Sequence, residues 1–345
     1  MVDGILRPMR PIFDAMLVNR PLGDPGVLVD LKFERRAILF DIGDVTALPT
    51  RKLVRVSDVF VSHTHMDHFA GFDHLLRVCL GRDTGVSLYG PGRFIGHLEH
   101  KLAAYTWNLV ENYATDFVIT AYELDAWGDV QRAQFRSRAR FEREGLPGKE
   151  APDGVLLDSA SFRVRAIPLE HHAIPSLAFA FEEHTHMNVW KNRLDELGLP
   201  TGQWLTELKE QVRAGAPDNT PIRVHWRTRN GTHDRIFPLG ELKAKVLDFV
   251  PGQKVCYVTD VADNSRNRDA LARFLRGADL LFIEAVFLDE DRHHAERKAH
   301  LTARAAGEIA RAAAVRTAVP FHFSARYLER EDELRGEFET AWRDG

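Results

Sequence analysis

The stretch that decides the fold is VFVSHTHMDHFAGFDHLL, residues 59–76. A short apolar run ends here, four side chains able to bind metal follow within six residues, and an amphipathic helix is predicted directly afterwards. Alternate residues of an extended strand project to the same side, so His63 and His65 can converge on one metal ion. Where the chain turns into the helix, Asp67 and His68 are redirected and can hold a second ion. Nitrogen and carboxylate ligands without sulfur favour zinc, with manganese or iron as alternatives.

Further ligands are expected at the ends of other apolar strands, because four side chains cannot complete two coordination spheres. Asp260 ends the run KVCYVTD, and the two oxygens of its carboxylate can bridge both ions. His322 follows another apolar run, VPF. His171 and His172 lie just before the apolar run 177–183, and from the residues alone either of them can be a ligand.

The rest of the chain predicts mixed β-sheets flanked by helices, because strand-like and helix-like segments alternate imperfectly. Short apolar runs bounded by turn residues predict strands at 26–31, 37–43, 58–63, 161–169, 177–183, 254–260, 279–287 and 315–323. Helices are predicted at 68–80, 201–215, 301–315 and after Tyr327. We expect one domain over residues 1–345, in which the polar segment 184–240 is an inserted arm or loop.

Composition and charge narrow the class of protein. The 345 residues are 44% hydrophobic with a net charge of −4, which excludes a disordered chain and gives no overall basic field for nucleic acid. Residues 131–150 do carry a local excess of positive charge, in either a solvated loop or a contact for RNA. The two cysteines are far apart, and we find neither a signal-peptide pattern nor a membrane-spanning run. These features predict a cytoplasmic protein that does not contact membranes.

The order of the motifs resembles that of metallo-β-lactamase-fold hydrolases, and of their ribonuclease Z branch in particular. The resemblance is carried by SHTHMDH (62–68), HAIPSLAFAF (172–181), VTD (258–260), AHLTARAAGEIA (299–310) and HFSARY (322–327). The histidine that leads a helix, followed by HFSxRY, is the feature more specific to ribonuclease Z. The resemblance implies an α+β fold, a four-layer αββα sandwich of two mixed sheets flanked by helices.

The resemblance also implies two zinc ions and a complete set of ligands. These are His63, His65, Asp67, His68, His172, Asp260 and His322. Asp260 would bridge the two ions. Alignment with the HxIP pattern of the family selects His172, because one residue separates it from Ile174, and His171 remains the alternative.

Two residues are expected to take part in catalysis. In the family, the histidine that matches His300 lies near the scissile phosphate, where it would protonate the leaving oxygen or stabilise its charge. Asp67 would orient the attacking water or accept its proton in addition to binding metal. Glu284, an acid inside an apolar strand, is expected to accept a hydrogen bond from a ligand histidine.

The function implied is a dinuclear zinc phosphodiesterase, an endoribonuclease that processes the 3′ end of precursor tRNA. Residues 194–215 look like the arm with which ribonuclease Z grips tRNA, and a homodimer would let the arm of one subunit serve the site of the other. The alternative is a hydrolase of the same fold acting on a small substrate such as a cyclic nucleotide, a phosphodiester or a lactone. The third hypothesis is an RNA- or metal-binding module without catalytic activity.

Overall fold

The computed structural model describes residues 12–32, 34–125, 128–228 and 231–344. The chain divides into two compact units, of which the first comprises Met1–Glu182 with Gln253–Gly345 and the second Glu183–Gly252. The first eleven residues, which contribute to the expectation that no signal peptide is present, lie outside the described part. No described helix has both the length and the apolar character needed to cross a bilayer.

Two β-sheets form the centre of the first unit. Strands β1 to β8 are consecutive in the chain and adjacent in one sheet: β1 (Phe13–Leu17), β2 (Val27–Leu31), β3 (Arg36–Phe40), β4 (Val56–Phe60), β5 (Gly85–Pro91), β6 (Val118–Leu124), β7 (Asp129–Arg136) and β8 (Arg143–Glu150). The later strands are β9 (Val155–Asp158), β10 (Phe162–His171), β11 (Ile174–Glu183), β12 (His186–Val189), β13 (Pro221–Thr228), β14 (Gly231–Pro238), β15 (Leu247–Val250), β16 (Lys254–Val258), β17 (Leu280–Glu284) and β18 (Ala318–Phe321).

Both sheets are mixed, as predicted. In the first sheet β3 to β6 run parallel and the outer pairs antiparallel. The second sheet has the order β18-β17-β16-β11-β10-β9, with β16 parallel to β17 and β17 parallel to β18. Parallel neighbours end at the same edge of a sheet, so residues that follow β16 and β18 are brought to one place.

In chain order the described helices are α1 (Thr50–Leu53), α2 (Met66–Phe69), α3 (Phe72–Cys79), α4 (Phe94–Ala103), α5 (Lys191–Glu196), α6 (Trp204–Arg213), α7 (Leu239–Val246), α8 (Ser265–Phe274), α9 (Arg292–Lys298), α10 (Ala303–Ala312) and α11 (Glu331–Arg343). Helices α5, α6 and α7 belong to the second unit, and helices of the first unit cover the outer faces of its two sheets. Buried residues of α1, α3 and α4 share a core with the first sheet, and those of α8, α10 and α11 share one with the second.

A third core lies between the two sheets, and alternation along the strands produces it. In β3, for example, Leu39 packs toward the helices and its neighbours Ile38 and Phe40 toward the other sheet. Phe40 stacks on Phe179 and Tyr257 of the second sheet, with ring centroids 5.6 and 5.9 Å apart. Helices, sheet, sheet and helices therefore follow one another in four layers, and the predicted αββα sandwich is confirmed.

The predicted helix over 68–80 is divided into α2 and α3 at Gly71. The amide of Gly71 donates to the carbonyl of Ile42, and a Cβ added at Gly71 would lie 2.1 Å from the carbonyl oxygen of Gly43. The loop after β3 thus approaches the backbone so closely that only glycine fits, and the helix is interrupted there.

The basic segment 131–150 forms most of β7 and β8 and is not a solvated loop. Its strands were not predicted because β8, REGLPGKE, is mostly exposed and contains Gly and Pro, which are depleted in strands. Its charges also have partners close by. Arginines pair with carboxylates as Arg136–Asp116, Arg140–Glu111 and Arg143–Glu99, and Arg132 and Lys149 lie over the ring of Tyr122.

The second unit contains the predicted insertion 184–240 and has a hydrophobic core of its own. Trp204 and Leu208 of α6 are fully buried in that core, together with Ile222 and Val224 of β13. Strands β13 and β14 pair as an antiparallel hairpin, and β12 pairs with β15. The segment is therefore a folded unit and not a simple loop.

Candidate metal centre

The SHTHMDH segment begins two residues after β4 ends and leads into α2. His63 and His68 are buried, His65 is exposed, and the side chain of Asp67 is 45% exposed. The hydroxyl of Thr64 lies 2.6 Å from Nδ1 of His97 on α4, which braces the turn between the first two histidines. The extended backbone at His65 and the helical turn after it produce the change of direction expected from the sequence.

The structure brings the strand-end residues together with this segment in two groups. Potential ligand atoms lie within 4.8 Å of one another in the group His63, His65, His171 and Asp260, and in the group Asp67, His68 and His322. Asp260 lies between the groups. Its Oδ2 is 3.4 Å from Nε2 of His63 and of His171, and its Oδ1 is 3.3 Å from Nε2 of His68 and 3.1 Å from Nδ1 of His322. Each oxygen of one carboxylate therefore faces a different group.

The structure places His171, the alternative to the predicted ligand His172, in the first group of potential ligand atoms. His171 is the last residue of β10, is 2% exposed, and donates from Nδ1 to the carbonyl oxygen of Ala299 at 3.0 Å. His172 is exposed on the rim of the cleft, at a positive φ of 50° in the turn between β10 and β11. The HxIP spacing favours His172, whereas in the structure β10 ends at His171 and the turn that reverses the chain begins at His172.

The chemistry of the histidines fits a metal ion. The Nε2 atoms of His63 and His68 are buried and have no hydrogen-bond partner among the described residues. Burial and the nearby His68 lower the pKa of His63 to about 2, and burial also lowers the pKa of His171. Both imidazoles are neutral at pH 7. Since Nδ1 of His171 donates to a carbonyl, Nε2 carries the free lone pair that a metal ion requires.

The second group concentrates negative charge around its histidines. Burial opposes the charged form of His68, but Asp260 and Asp41 raise its pKa well above the usual value. Asp67 also lies in a partly buried place, yet His322 and His68 hold the pKa of its carboxyl below the ordinary range. Three carboxylates around buried imidazoles favour a cation at this position, which is the charge that a divalent ion supplies.

Asp41 belongs to this centre and was not predicted. It follows β3, is fully buried, and its Oδ2 lies 2.8 Å from Nδ1 of His68 while its Oδ1 accepts from the amide of Ser62 at 2.6 Å. The hydroxyl of Tyr257 donates to Oδ2 at 2.7 Å. Asp41 therefore fixes the tautomer of His68 with the Nε2 lone pair toward the ligand group. The signal was an acid at the end of an apolar strand, the same one that identified Asp260.

Glu284, at the end of β17, holds His300. The carboxylate is fully buried, and its Oε2 lies 3.1 Å from Nδ1 of His300. Its partner is thus His300 and not a predicted ligand, although Nδ1 of His322 is 3.6 Å away. Burial opposes the charged form of His300, but Glu284 and Asp260 raise its pKa above the ordinary value. His300 consequently favours the protonated form, and its Nδ1 is committed to Glu284.

A cleft of about 480 Å³ opens over the two groups. Its lining is His65, Asp67, His171, His172, Asp260, Val286, Phe287, His294, Lys298, His300, His322, Phe323 and Ser324. His65, Asp67, His171, Asp260 and His322 therefore face a common space with His300, in which a substrate can reach them, whereas His63 and His68 are buried and do not line it.

The sequence pattern of the β-lactamase superfamily domain matches residues 36–190 and 225–323, well over half of the chain. The chain belongs to the β-lactamase superfamily. This superfamily member is also similar over most of its length to curated proteins named ribonuclease Z. One from Deinococcus radiodurans is 29% identical over 323 residues, which cover 92% of each chain.

A further curated relative and two solved structures are also similar to this chain. The human zinc phosphodiesterase ELAC protein 1 is 27% identical over 331 residues, 89% of this chain and 85% of that one. The crystal structure of the short form of human tRNase Z has a TM-score of 0.50 at 18% identity and covers 92% of this chain and 93% of its own. The Bacillus subtilis metallo-β-lactamase fold protein YhfI has a TM-score of 0.53 at 15% identity, with coverages of 95% and 92%. The predicted resemblance to ribonuclease Z is confirmed.

Proposed function

We propose that this superfamily member is a metal-dependent phosphodiesterase of ribonuclease Z type, an endoribonuclease that cleaves precursor tRNA at its 3′ end. The observation that carries the proposal is the carboxylate of Asp260, whose two oxygens face two separate groups of ligand atoms. Similarity to ribonucleases Z over most of both chains supports the choice of substrate.

The two groups are proposed to hold two zinc ions, with manganese or iron as the other candidates. His63, His65 and His171 would bind one ion, and Asp67, His68 and His322 the other, with Asp260 shared. When bound, a pair of such ions activates water and neutralises charge on a phosphate.

The residues of the chain would position substrate and move protons. In the protonated form that Glu284 and Asp260 favour, His300 donates from Nδ1 to Glu284, and its Nε2 carries the proton that can pass to the leaving oxygen. The lowered pKa of Asp67, which His322 and His68 produce against the effect of burial, keeps its carboxylate ionised and able to orient water or accept a proton. Acid and base thus come from separate residues of one cleft.

A cleavage assay tests this function. The zinc-loaded protein is incubated with precursor tRNA that carries a 3′ trailer and, separately, with bis(p-nitrophenyl) phosphate, with the His300→Ala variant as the control for contaminating nucleases. We expect a cut at the end of the mature tRNA that the variant does not make. Cleavage of the ester with intact tRNA would favour the small-substrate hydrolase, and metal binding without turnover of either would favour a binding module.

We further propose that the second unit contacts tRNA, that the protein is a homodimer, and that it is cytoplasmic. The second unit has a folded core of its own, which supports a role as an arm that offers a surface to tRNA. The two cysteines are free and buried, which suits a reducing compartment such as the cytoplasm. Light scattering that reports a single chain's mass would refute the dimer. Recovery from the membrane or secreted fraction of cells would refute the location.

A further inference from the structure

The cleft extends beyond the metal centre to a wall that the proposed reaction leaves unused. This wall consists of His294 and Lys298 of α9, with the ring of Phe287 behind them. The centroid of Phe287 lies 6.1 Å from that of His300 and 5.0 Å from that of His294. One ring therefore separates the imidazole proposed to act on the cleaved phosphate from the imidazole of the wall.

Lys298 contributes an ammonium group to the lining of the cleft. It is exposed, and no carboxylate pairs with it in the described part of the chain. Its backbone is nevertheless fixed, because the next residue, Ala299, ends α9 in the left-handed conformation and its carbonyl accepts from His171. The backbone that carries this ammonium is thus held next to the carbonyl that accepts from His171.

His294 adds a neutral hydrogen-bond donor. Its Nδ1 lies 2.7 Å from a guanidinium nitrogen of Arg297, which can only donate, so Nδ1 accepts and the ring proton must reside on Nε2. Burial and the cations Arg326 and Arg297 lower the pKa of His294, in agreement with a neutral ring. The ring is held edge to face against Phe287.

The charge around this wall favours an anion. The carboxylates that line the cleft, Asp67 and Asp260, both belong to the ligand groups. Asp291, which also acts on His294, is paired with Arg326 at 3.0 Å. A cation and a neutral donor without an opposing carboxylate suit an oxyanion such as phosphate.

We propose that Lys298 and His294 form a second phosphate subsite, which binds the phosphate next to the one that is cleaved. The inference rests on the proposed function and deepens it, since an RNA strand carries a phosphate at each nucleotide and a small monoester or lactone has none to place there. The second subsite predicts that the protein binds substrates with two linked phosphates more tightly than substrates with one.

Calorimetric titration of the zinc-loaded protein with thymidine 3′,5′-bisphosphate and thymidine 5′-monophosphate tests the subsite without turnover. We expect the wild-type protein to prefer the bisphosphate by about tenfold, as for one charge-assisted contact in a partly exposed place. Lys298→Ala should abolish most of this preference and Lys298→Arg should restore it. Arg311→Ala removes an exposed cation from α10 that does not line the cleft, and is the matched control.

Three results would overturn the subsite: no wild-type preference for the bisphosphate, an equal loss of affinity for both ligands in Lys298→Ala, or an equal loss of preference in Arg311→Ala. The cleavage assay distinguishes failure of the proposed function from failure of the subsite. If the protein prefers the bisphosphate but leaves precursor tRNA uncut, the subsite stands and the proposed activity as a tRNA endonuclease is wrong. On RNA, Lys298→Ala should also reduce the salt dependence of binding by about one charge.

Discussion

Replacement of Glu284 by glutamine tests how the strand-end carboxylate organises the centre. Four donors surround its two oxygens. Oε2 accepts from the amide of Asp260 at 2.8 Å and from Nδ1 of His300 at 3.1 Å, and Oε1 accepts from the amides of Leu301 and Val261 at 2.9 and 3.2 Å. A glutamine has one oxygen, so its amide nitrogen must face two of these donors whichever way it turns.

The expected cost follows from that count. Two hydrogen bonds to a charged acceptor are lost, each contributing about 1.5–3 kcal/mol, and the site is fully buried, so the free energy of unfolding should fall by about 3–6 kcal/mol. Urea denaturation of the wild-type and variant proteins, monitored by circular dichroism, measures the difference. A loss of this size is a large part of the stability of an ordinary domain.

Glu337→Gln is the matched control. Glu337 also accepts from two backbone amides, those of Asp289 and Arg304, but both donate to one oxygen, Oε1, at 2.9 and 3.0 Å, and Oε2 only shares the amide of Asp289 at 3.2 Å. Glutamine can keep that oxygen in place, and we expect a loss below about 1 kcal/mol. If Glu284→Gln were no more destabilising than Glu337→Gln, the assignment of four donors to Glu284 would be wrong.

Four further predictions concern the metal centre and its pH dependence. Asp260→Ala should lower bound zinc below two ions per chain in elemental analysis, and an unchanged content would refute the bridge. Loss of an outer hydrogen-bond partner typically weakens metal binding about 10- to 100-fold, and His171→Ala should weaken zinc binding by more than this. His172→Ala should leave zinc binding nearly intact, and the reverse order would refute the assignment of His171 as the ligand. His300→Ala should keep its zinc but lose about 10²–10⁴-fold in turnover, and retained turnover would remove it from the mechanism. Against the effect of burial, His300 lowers the pKa of Glu284 to about 2 from an ordinary 4.5. The stability that the ionised Glu284 contributes is therefore present above pH 4.5 and is lost as the pH falls toward 2. The difference in free energy of unfolding between the wild type and Glu284→Gln, measured in urea, should narrow over that window.

Strand ends made much of the centre predictable from the sequence. Asp260 and His322 were identified because each follows an apolar run, and parallel pairing of β16, β17 and β18 explains why they meet. Asp41 obeys the same rule but was missed, since the predicted strand extended to residue 43 while β3 ends at Phe40. An error of a few residues at a strand boundary was enough to hide a buried acid.

Contacts between distant segments account for what the sequence did not predict. Whether His171 or His172 faces the centre depends on where β10 ends and on the carbonyl of Ala299, which is 128 residues away in the chain. The partner of Glu284 likewise depended on how the segment before α10 packs beside β17. Local patterns supply candidate residues, but such pairings are determined by the packed fold.

The backbone at the strand ends restricts how this centre can change in evolution. Asp41, Asp260 and His322 have φ values of 55°, 46° and 59°, in the left-handed region. Apart from glycine, that region is tolerated best by Asn, Asp and His, and β-branched residues are rare there. Of Asn, Asp and His, the last two are also common metal ligands. Exchange between aspartate and histidine at Asp260 or His322 therefore needs no new backbone conformation, and it would change the ligand set, and with it the preferred metal, on the same scaffold.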